Sequence, residues 1–245
     1  MSTTATTTTF QLTDTVGSIV TQRPSLSRVF ELHGIDYCCG GKIPLADACA
    51  KKGIDPHVLL AALEEAARAV VGGGIDPAGM TLTALADHIE ATHHAYVRAE
   101  LPRLEAMTKK VAAVHGEHDA RLAQVHEVFL GLQWEMTGHM MKEERILFPM
   151  IRQLEASDSV PSFHCGSLAN PINVMESEHD QVGGALAKMR ELTDGFTPPD
   201  WACNTYRAML DALAHLERDT HQHVHKENNI LFPRAMAMES QKQQH

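Results

Sequence analysis

The 245 residues can form one or two domains, and 44% hydrophobic with 21% charged residues is the composition of a folded protein. These values exclude a mostly disordered chain, a collagen-like chain and a small disulfide-stapled domain. A net charge of −10 argues against binding to the phosphate backbone of nucleic acids. The sequence contains neither a signal peptide nor an apolar segment of the roughly 18 residues that span a bilayer, so we expect a cytoplasmic protein that is not bound to a membrane.

The N-terminal part of the sequence predicts short helices with strong stop signals. Pro24 and Pro44 each begin a helical stretch, and Gly34 and Gly53 end these stretches. This arrangement follows the preference of proline for the first helical turn and of glycine for the position after the last turn. A third, longer amphipathic stretch begins at Pro56. We therefore expect a small helical domain in this part of the chain.

Long helices are predicted for the remainder of the chain, because apolar residues recur there with helical spacing and never alternate as they do in strands. The predicted helices cover residues 82–114, 118–154, 171–192 and 199–238, each to within a few residues. Four helices with short connections are typical of an up-down bundle, so the fold class is all-α. The expected organisation is a disordered tail over residues 1–11, a helical domain over residues 12–71, a linker over residues 72–80 and a bundle over residues 81–245.

The bundle sequence contains an internal repeat. HMMKEERILFP, which begins at His139, is matched 84 residues later by HVHKENNILFP, which begins at His223. In both copies a glutamate, Glu143 or Glu227, follows the first histidine by four positions. A repeated pair of helices is what a symmetric two-metal site in a bundle requires.

Helical geometry indicates which side chains could share such a site. Residues four positions apart lie on one helix face, about 5–6 Å apart at Cβ, so a histidine and a glutamate with this spacing can bind one metal ion. His179 is paired with His94 at nearly the repeat spacing, which gives each half a third donor. The predicted metal ligands are His94, His139, Glu143, His179, His223 and Glu227.

Each of these assignments has a simpler alternative. One histidine followed by glutamate at the fourth position is usually a solvated pair, and it is the repeat that favours a ligand role. His93 competes with His94, and the spacing from Leu101 favours His94. His221 and His225 have no glutamate four positions later, and we expect both to face solvent or to lie next to the metal ligands without binding metal.

The types of donor bear on the identity of the metal. No cysteine is in register with the six predicted ligands, which argues against a structural zinc site with thiolate ligands. Imidazole and carboxylate donors suit non-haem iron first, manganese second and zinc third.

Pro149 and Pro233, which end the two repeat copies, are expected to mark helix kinks or new helix starts.

Two further features outside the predicted ligand set suggest chemistry. Cys38 and Cys39 lie next to each other in front of two glycines, and adjacent cysteines rarely form a disulfide with each other. They are candidates for a thiol or redox role, the alternative being a buried pair that supports a turn or a dimer contact. Glu178 precedes His179 and could orient a ligating histidine, as outer carboxylates do, or could be a surface residue.

Several motifs together resemble those of a known family. They are DYCCGGK from Asp36, the HMMKEERILFP copy, VMESEHD from Val174 and ENNILFPRA from Glu227. On these motifs the chain from about Leu12 to Ala237 resembles the RIC proteins (repair of iron centres) of the ScdA type, and residues 81–245 resemble hemerythrin-like domains.

The resemblance implies two non-haem iron ions per chain, with an oxo bridge and bridging carboxylates from the two repeat glutamates. It implies repair of iron–sulfur clusters damaged by oxidative or nitrosative stress, by donation of iron to the damaged proteins. The alternative is a hemerythrin-like protein that binds O2 or NO or reduces NO, so whether the chain is an enzyme stays open. No catalytic residue is assigned. The resemblance and the turn at the cysteine pair are both consistent with a homodimer.

Overall fold

The computed structural model describes residues 10–69 and 76–244, so part of the expected tail and linker lies outside the described residues. Within the described ranges the chain is helical, which confirms the predicted all-α class. It divides into two compact units. The first comprises the N-terminal residues up to Gly79 together with His225–Ile230, and the second comprises Met80–Val224 and Leu231–His245.

Four short helices form the N-terminal part of the first unit. Thr15 begins the first helix, where its hydroxyl accepts a hydrogen bond from the Ser18 amide. Gly53 ends the third helix in the left-handed conformation (φ +67°), which glycine adopts without strain. The helices are α1 Val16–Gln22, α2 Ser27–Leu32, α3 Leu45–Lys52 and α4 Pro56–Ala69.

Four long helices, α5–α8, make up the bundle, and three of them are interrupted by a five-residue π turn. Helix α5 consists of Leu82–Ile89, Glu90–His94 and Ala95–His115. Helix α6 consists of Arg121–Lys142, Glu143–Leu147 and Phe148–Ala156. Helix α7 is Ala169–Leu192, and α8 consists of Asn204–Lys226, Glu227–Leu231 and Phe232–Gln243.

An aliphatic core fills one end of the bundle. Each of its four helices contributes to this core, and the exposed fraction is at most 2% for the representative residues Val97, Leu132, Leu186 and Leu213. Apart from Met140, the core residues follow the histidine ligand candidates in α5 and α7 and precede them in α6 and α8. Up-down connectivity therefore brings the candidates on all four helices to one level of the bundle.

The start of α5 is fixed by a carboxylate from α6. The Glu155 carboxylate accepts hydrogen bonds from the backbone amides of Leu82 (2.7 Å) and Thr83 (2.8 Å). These amides have no partner within their own helix, so Glu155 serves as a cap from a distant part of the sequence. Partial burial acts to raise the pKa of Glu155, but the hydrogen bonds at Thr83 and Leu82 lower it below its ordinary value.

No helix among the described residues is both long enough and apolar enough to cross a membrane.

We expect Glu155→Ala to lower the free energy of unfolding by about 1 kcal/mol at pH 7, because two helix-terminal amides lose their acceptor. Because the pKa of Glu155 is lowered in the folded state, its contribution is present above the ordinary carboxyl pKa and disappears as pH falls through the lowered value. Urea unfolding at pH 7 and at pH 3 measures both effects, with exposed Glu127→Ala as control. Equal unfolding free energies for Glu155→Ala and the control at pH 7 would contradict the capping role.

Candidate metal centre

The six predicted ligands lie at one level of the bundle and are almost fully buried. Their exposed fractions range from 0% to 3%. His94 ends the π turn of α5, His139 and Glu143 lie one turn apart on α6, His179 lies on α7, and His223 and Glu227 lie one turn apart on α8.

The six side chains form two groups that share both carboxylates. One group is His94, Glu143, His223 and Glu227, and the other is His139, Glu143, His179 and Glu227. Within each group, one donor atom per residue lies within 4.8 Å of all the others. Each group thus has two imidazoles of its own and two shared carboxylates, which is the arrangement of a two-metal site with bridging glutamates.

Distances between the donor atoms describe the site more closely. The Nε2 atoms of His94 and His223 are 3.1 Å apart, and those of His139 and His179 are 3.0 Å apart. Oε2 of Glu143 lies 3.3 Å from Nε2 of both His94 and His139. Glu143 therefore lies between one histidine of each group.

This donor set fits a pair of first-row transition metal ions. Two nitrogens bound at right angles to one ion, each at about 2.1 Å, lie about 3.0 Å apart, as the histidine pairs do here. Two carboxylates in a dry interior cost several kcal/mol each unless cations accompany them. Two divalent ions would provide that compensation, and imidazole with carboxylate suits iron, manganese or zinc.

Two outer carboxylates hold two of the predicted ligand histidines. Nδ1 of His94 hydrogen-bonds Oε1 of Glu144 at 2.9 Å, and Nδ1 of His139 hydrogen-bonds Oε2 of Glu178 at 2.9 Å. A carboxylate on Nδ1 directs Nε2 toward the site and makes it a better donor. The predicted neighbour Glu178 thus contacts His139 rather than the adjacent His179.

The outer carboxylates also contact cations at the surface. Arg98 pairs with Glu144 and Lys142 pairs with Glu178. Partial burial acts to raise the pKa of both glutamates, but these cations and the histidines lower each pKa below its ordinary value. Sequence reasoning missed Glu144, which lies in the π turn Glu143–Leu147, a feature that residue spacing does not predict.

The repeated Ile-Leu-Phe-Pro motif packs against the histidines. The Phe148 ring stacks on His94 at 5.7 Å between centroids, and the Phe232 ring stacks on His179 at 6.2 Å. Each ring covers the histidine from the first helix of its own half. Pro149 and Pro233 lie in the first turn of the α-helical segments that start at Phe148 and Phe232, where the lack of an amide hydrogen is tolerated.

The structure separates the competing histidines. His93 is buried outside the two donor groups, where its Nδ1 hydrogen-bonds Oδ1 of Asp219 at 2.9 Å and its ring stacks on His223. His225, which we expected to face solvent or to lie near the ligands, is buried against the N-terminal residues. Its Nδ1 donates to the Tyr37 carbonyl at 3.2 Å, and burial lowers the pKa of His225 to about 4, so the ring is neutral near pH 7.

The two adjacent cysteines differ in environment. Cys38 is buried and Cys39 is partly exposed, and both are free thiols. The Cys38 thiol lies 3.9 Å from the Cys39 sulfur and 3.2 Å from Oδ1 of Asp36. The hydrogen bond to Cys39, together with burial, raises the pKa of Cys38 well above its usual range. Cys38 is therefore a neutral thiol near pH 7.

Comparison with known proteins agrees with both parts of the structure. The family described as "Hemerythrin HHE cation binding domain" matches residues 83–235. ScdA_N, described as a domain of unknown function, matches residues 12–67. The iron–sulfur cluster repair protein YtfE from Escherichia coli O157:H7, E. coli O81 and Escherichia fergusonii is in each case 38% identical over 224 residues, which cover 91% of this chain and 97% of the relative.

The chain belongs to the RIC family. The predicted family and the hemerythrin-like bundle are thereby confirmed. In this RIC chain the domain named for cation binding contains the two buried histidine–glutamate groups.

We expect Glu144→Ala and Glu178→Ala each to weaken metal binding roughly 10- to 100-fold, because a ligand histidine loses the carboxylate that orients it. Anaerobic titration of the metal-free protein with Fe²⁺ or Co²⁺ measures this change. Exposed Glu135→Ala on α6 is the matched control, since it removes a similar charge without touching a ligand. The interpretation fails if Glu144→Ala and Glu178→Ala bind metal as tightly as the control.

Proposed function

We propose that this RIC chain holds two iron ions in the bundle and donates iron to iron–sulfur proteins that oxidative or nitrosative stress has damaged. The observation that carries the proposal is the pair of buried donor groups that share Glu143 and Glu227. His94 and His223 would bind one ion, and His139 and His179 would bind the other. The similarity to iron–sulfur cluster repair proteins supports a role for this iron in cluster repair.

The donor count favours a site that exchanges its metal. Each group provides four protein donors, two imidazoles and two shared carboxylates. Octahedral coordination has six positions, so protein side chains leave positions open for water or for an incoming ligand. An acceptor that offers thiolate or sulfide ligands can enter such positions without first displacing a histidine.

The outer carboxylates connect the buried site with the surface. The Glu144 carboxylate contacts buried His94 on one side and exposed Arg98 on the other, and the Glu178 carboxylate does the same between His139 and Lys142. Loss of either surface ion pair would free a carboxylate to move away from its histidine. We propose that these two positions control how readily the buried ligands release iron.

A second candidate function is the binding or reduction of NO or O2 at the open positions. A cavity of about 270 Å³ adjoins Glu144 and is lined in part by Leu101, Pro102 and Met140. It is large enough to admit a diatomic molecule, and its lining residue Glu144 contacts His94 of the donor groups. The two functions differ in outcome, because donation removes iron from the chain and gas chemistry leaves it in place.

We further propose a thiol role for Cys38 and Cys39 in the repair reaction. The two sulfurs face each other across 3.9 Å, and Cys39 is accessible while Cys38 is buried behind it. An exposed thiol can contact an acceptor protein, and a neighbouring thiol can bind the same ion or group as the first.

We expect anaerobically purified protein to contain about two iron ions per chain with little zinc or manganese, as a site with two bridging carboxylates requires. Glu143→Gln combined with Glu227→Gln should reduce the iron content to well under one ion per chain, because neutral amides bridge metals poorly. Elemental analysis measures the metals, and circular dichroism checks that the helices persist. Near-normal iron in a helical double variant would contradict the bridging assignment.

Cys38→Ala with Cys39→Ala should leave the two iron ions of the bundle in place but slow the reactivation of an iron-depleted iron–sulfur enzyme about tenfold or more, because the acceptor loses its contact with the thiols. Cys165→Ala with Cys203→Ala is the matched control, since these thiols lie outside the turn. Reactivation is followed by the activity of the acceptor enzyme. An unchanged rate would assign the cysteine pair a structural role.

A further inference from the structure

Three donor atoms outside the bundle site converge on the turn that follows Tyr37. A carboxylate oxygen of Asp36 and the sulfurs of Cys38 and Cys39 lie within 4.8 Å of one another. The Cys38 thiol is within hydrogen-bonding range of both Oδ1 of Asp36 and the Cys39 sulfur. Cys38 is therefore the donor that contacts both of the other two.

The separation of the sulfurs is that of two ligands on one ion. Two thiolates bound to a tetrahedral cation, each at about 2.3 Å, lie about 3.8 Å apart. The observed distance is 3.9 Å. A disulfide needs about 2.05 Å, and in adjacent cysteines it also requires a strained backbone. The geometry is therefore close to that of a metal site and far from that of a bonded pair.

Asp36 holds the backbone amides of this turn in place. Its carboxylate accepts hydrogen bonds from the amides of Cys38 (2.9 Å), Cys39 (3.0 Å) and Gly40 (2.8 Å). Three bonds from consecutive amides fix the turn and keep both thiols beside the same carboxylate. Because the turn is already ordered, the binding of a cation here would cost little further conformational entropy of the protein.

The segment His225–Ile230 holds the backbone carbonyls of the same turn. The Asn229 side-chain amide donates to the Cys38 carbonyl at 2.9 Å, and His225 donates to the Tyr37 carbonyl. The Asn229 oxygen packs so closely against the turn that a Cβ atom on Gly41 would lie 2.5 Å from it. The Asn229 side chain thus occupies space that any side chain at position 41 would fill.

We propose that Asp36, Cys38 and Cys39 form a second cation site, selective for a thiophilic divalent ion, with Asn229 as its positioning residue. On binding, two sulfur–metal bonds form, both S–H bonds break and two protons pass to solvent, with no change of oxidation state. The exposed Asp36 and partly exposed Cys39 leave one side open for a fourth, exchangeable ligand. The existence of this site is independent of the proposed function. Its use for iron in transit to an acceptor rests on that function.

Cobalt titration of the reduced full-length protein tests the site directly. Thiolate bound to Co²⁺ gives a near-ultraviolet charge-transfer band, and the bundle ligands contain no thiolate. We expect a band that saturates at one thiolate-bound Co²⁺ per chain and is absent in Cys38→Ala with Cys39→Ala. Cys165→Ala with Cys203→Ala should retain the band. If that control loses the band, or the Cys38 and Cys39 variant keeps it, the proposal is wrong.

Less disruptive variants test the individual roles. Cys39→Ser removes one sulfur at a partly exposed position and should at least halve the band. Asp36→Ala should weaken Co²⁺ binding about tenfold or more, because it removes both a ligand and the acceptor of the turn. Full Co²⁺ affinity in a folded Asp36→Ala variant would overturn the three-ligand site. Because the bundle groups contain only histidine and glutamate, loss of the bundle metal would leave the thiolate band unchanged, and failure of the iron site would not be mistaken for failure of this one.

The internal repeat provides a matched control for Asn229. Arg145 occupies the same position in the first repeat copy, also two residues after the glutamate and inside a π turn. Asn229→Ala should weaken thiolate-bound Co²⁺ about tenfold and Arg145→Ala should not, since only Asn229 contacts the turn. Equal Co²⁺ affinity in the two variants would remove Asn229 from the proposal.

Discussion

The burial of two carboxylates in the middle of a helical bundle is the constraint on which the rest of this structure depends. Glu143 and Glu227 are both fully buried, and uncompensated carboxylates in such an interior cost several kcal/mol each. Four histidines surround them, and two of these are held in turn by outer carboxylates. The aliphatic core at one end of the bundle keeps the helices in the register that brings the six side chains together.

The repeat in the sequence allowed us to predict which six side chains come together in the bundle. One histidine–glutamate pair is a common surface pattern, but two copies 84 residues apart identify a shared face. The π turns could not be predicted, because spacing rules assume a regular α-helix. As a result Glu144, which lies in such a turn, was missed, although its contact with His94 is equivalent to that of Glu178 with His139.

The prediction also failed where the two repeat copies differ in their surroundings. In the first copy Met141 is 48% exposed, whereas its counterpart His225 is 5% exposed. Ile146, 41% exposed, and Ile230, 3% exposed, differ in the same way. The difference arises because His225–Ile230 packs with the N-terminal residues. Periodicity within one helix cannot show that a distant part of the chain covers one copy of a repeat and leaves the other open.

The segment His225–Ile230 therefore serves two environments at once. Glu227 belongs to the buried donor groups, and Asn229, two residues later in the same π turn, holds the Cys38 carbonyl. π turns are common at functional sites because a wide turn places side chains where a regular helix does not. The same five residues therefore position both the buried carboxylate of Glu227 and the side-chain amide that holds the Cys38 carbonyl.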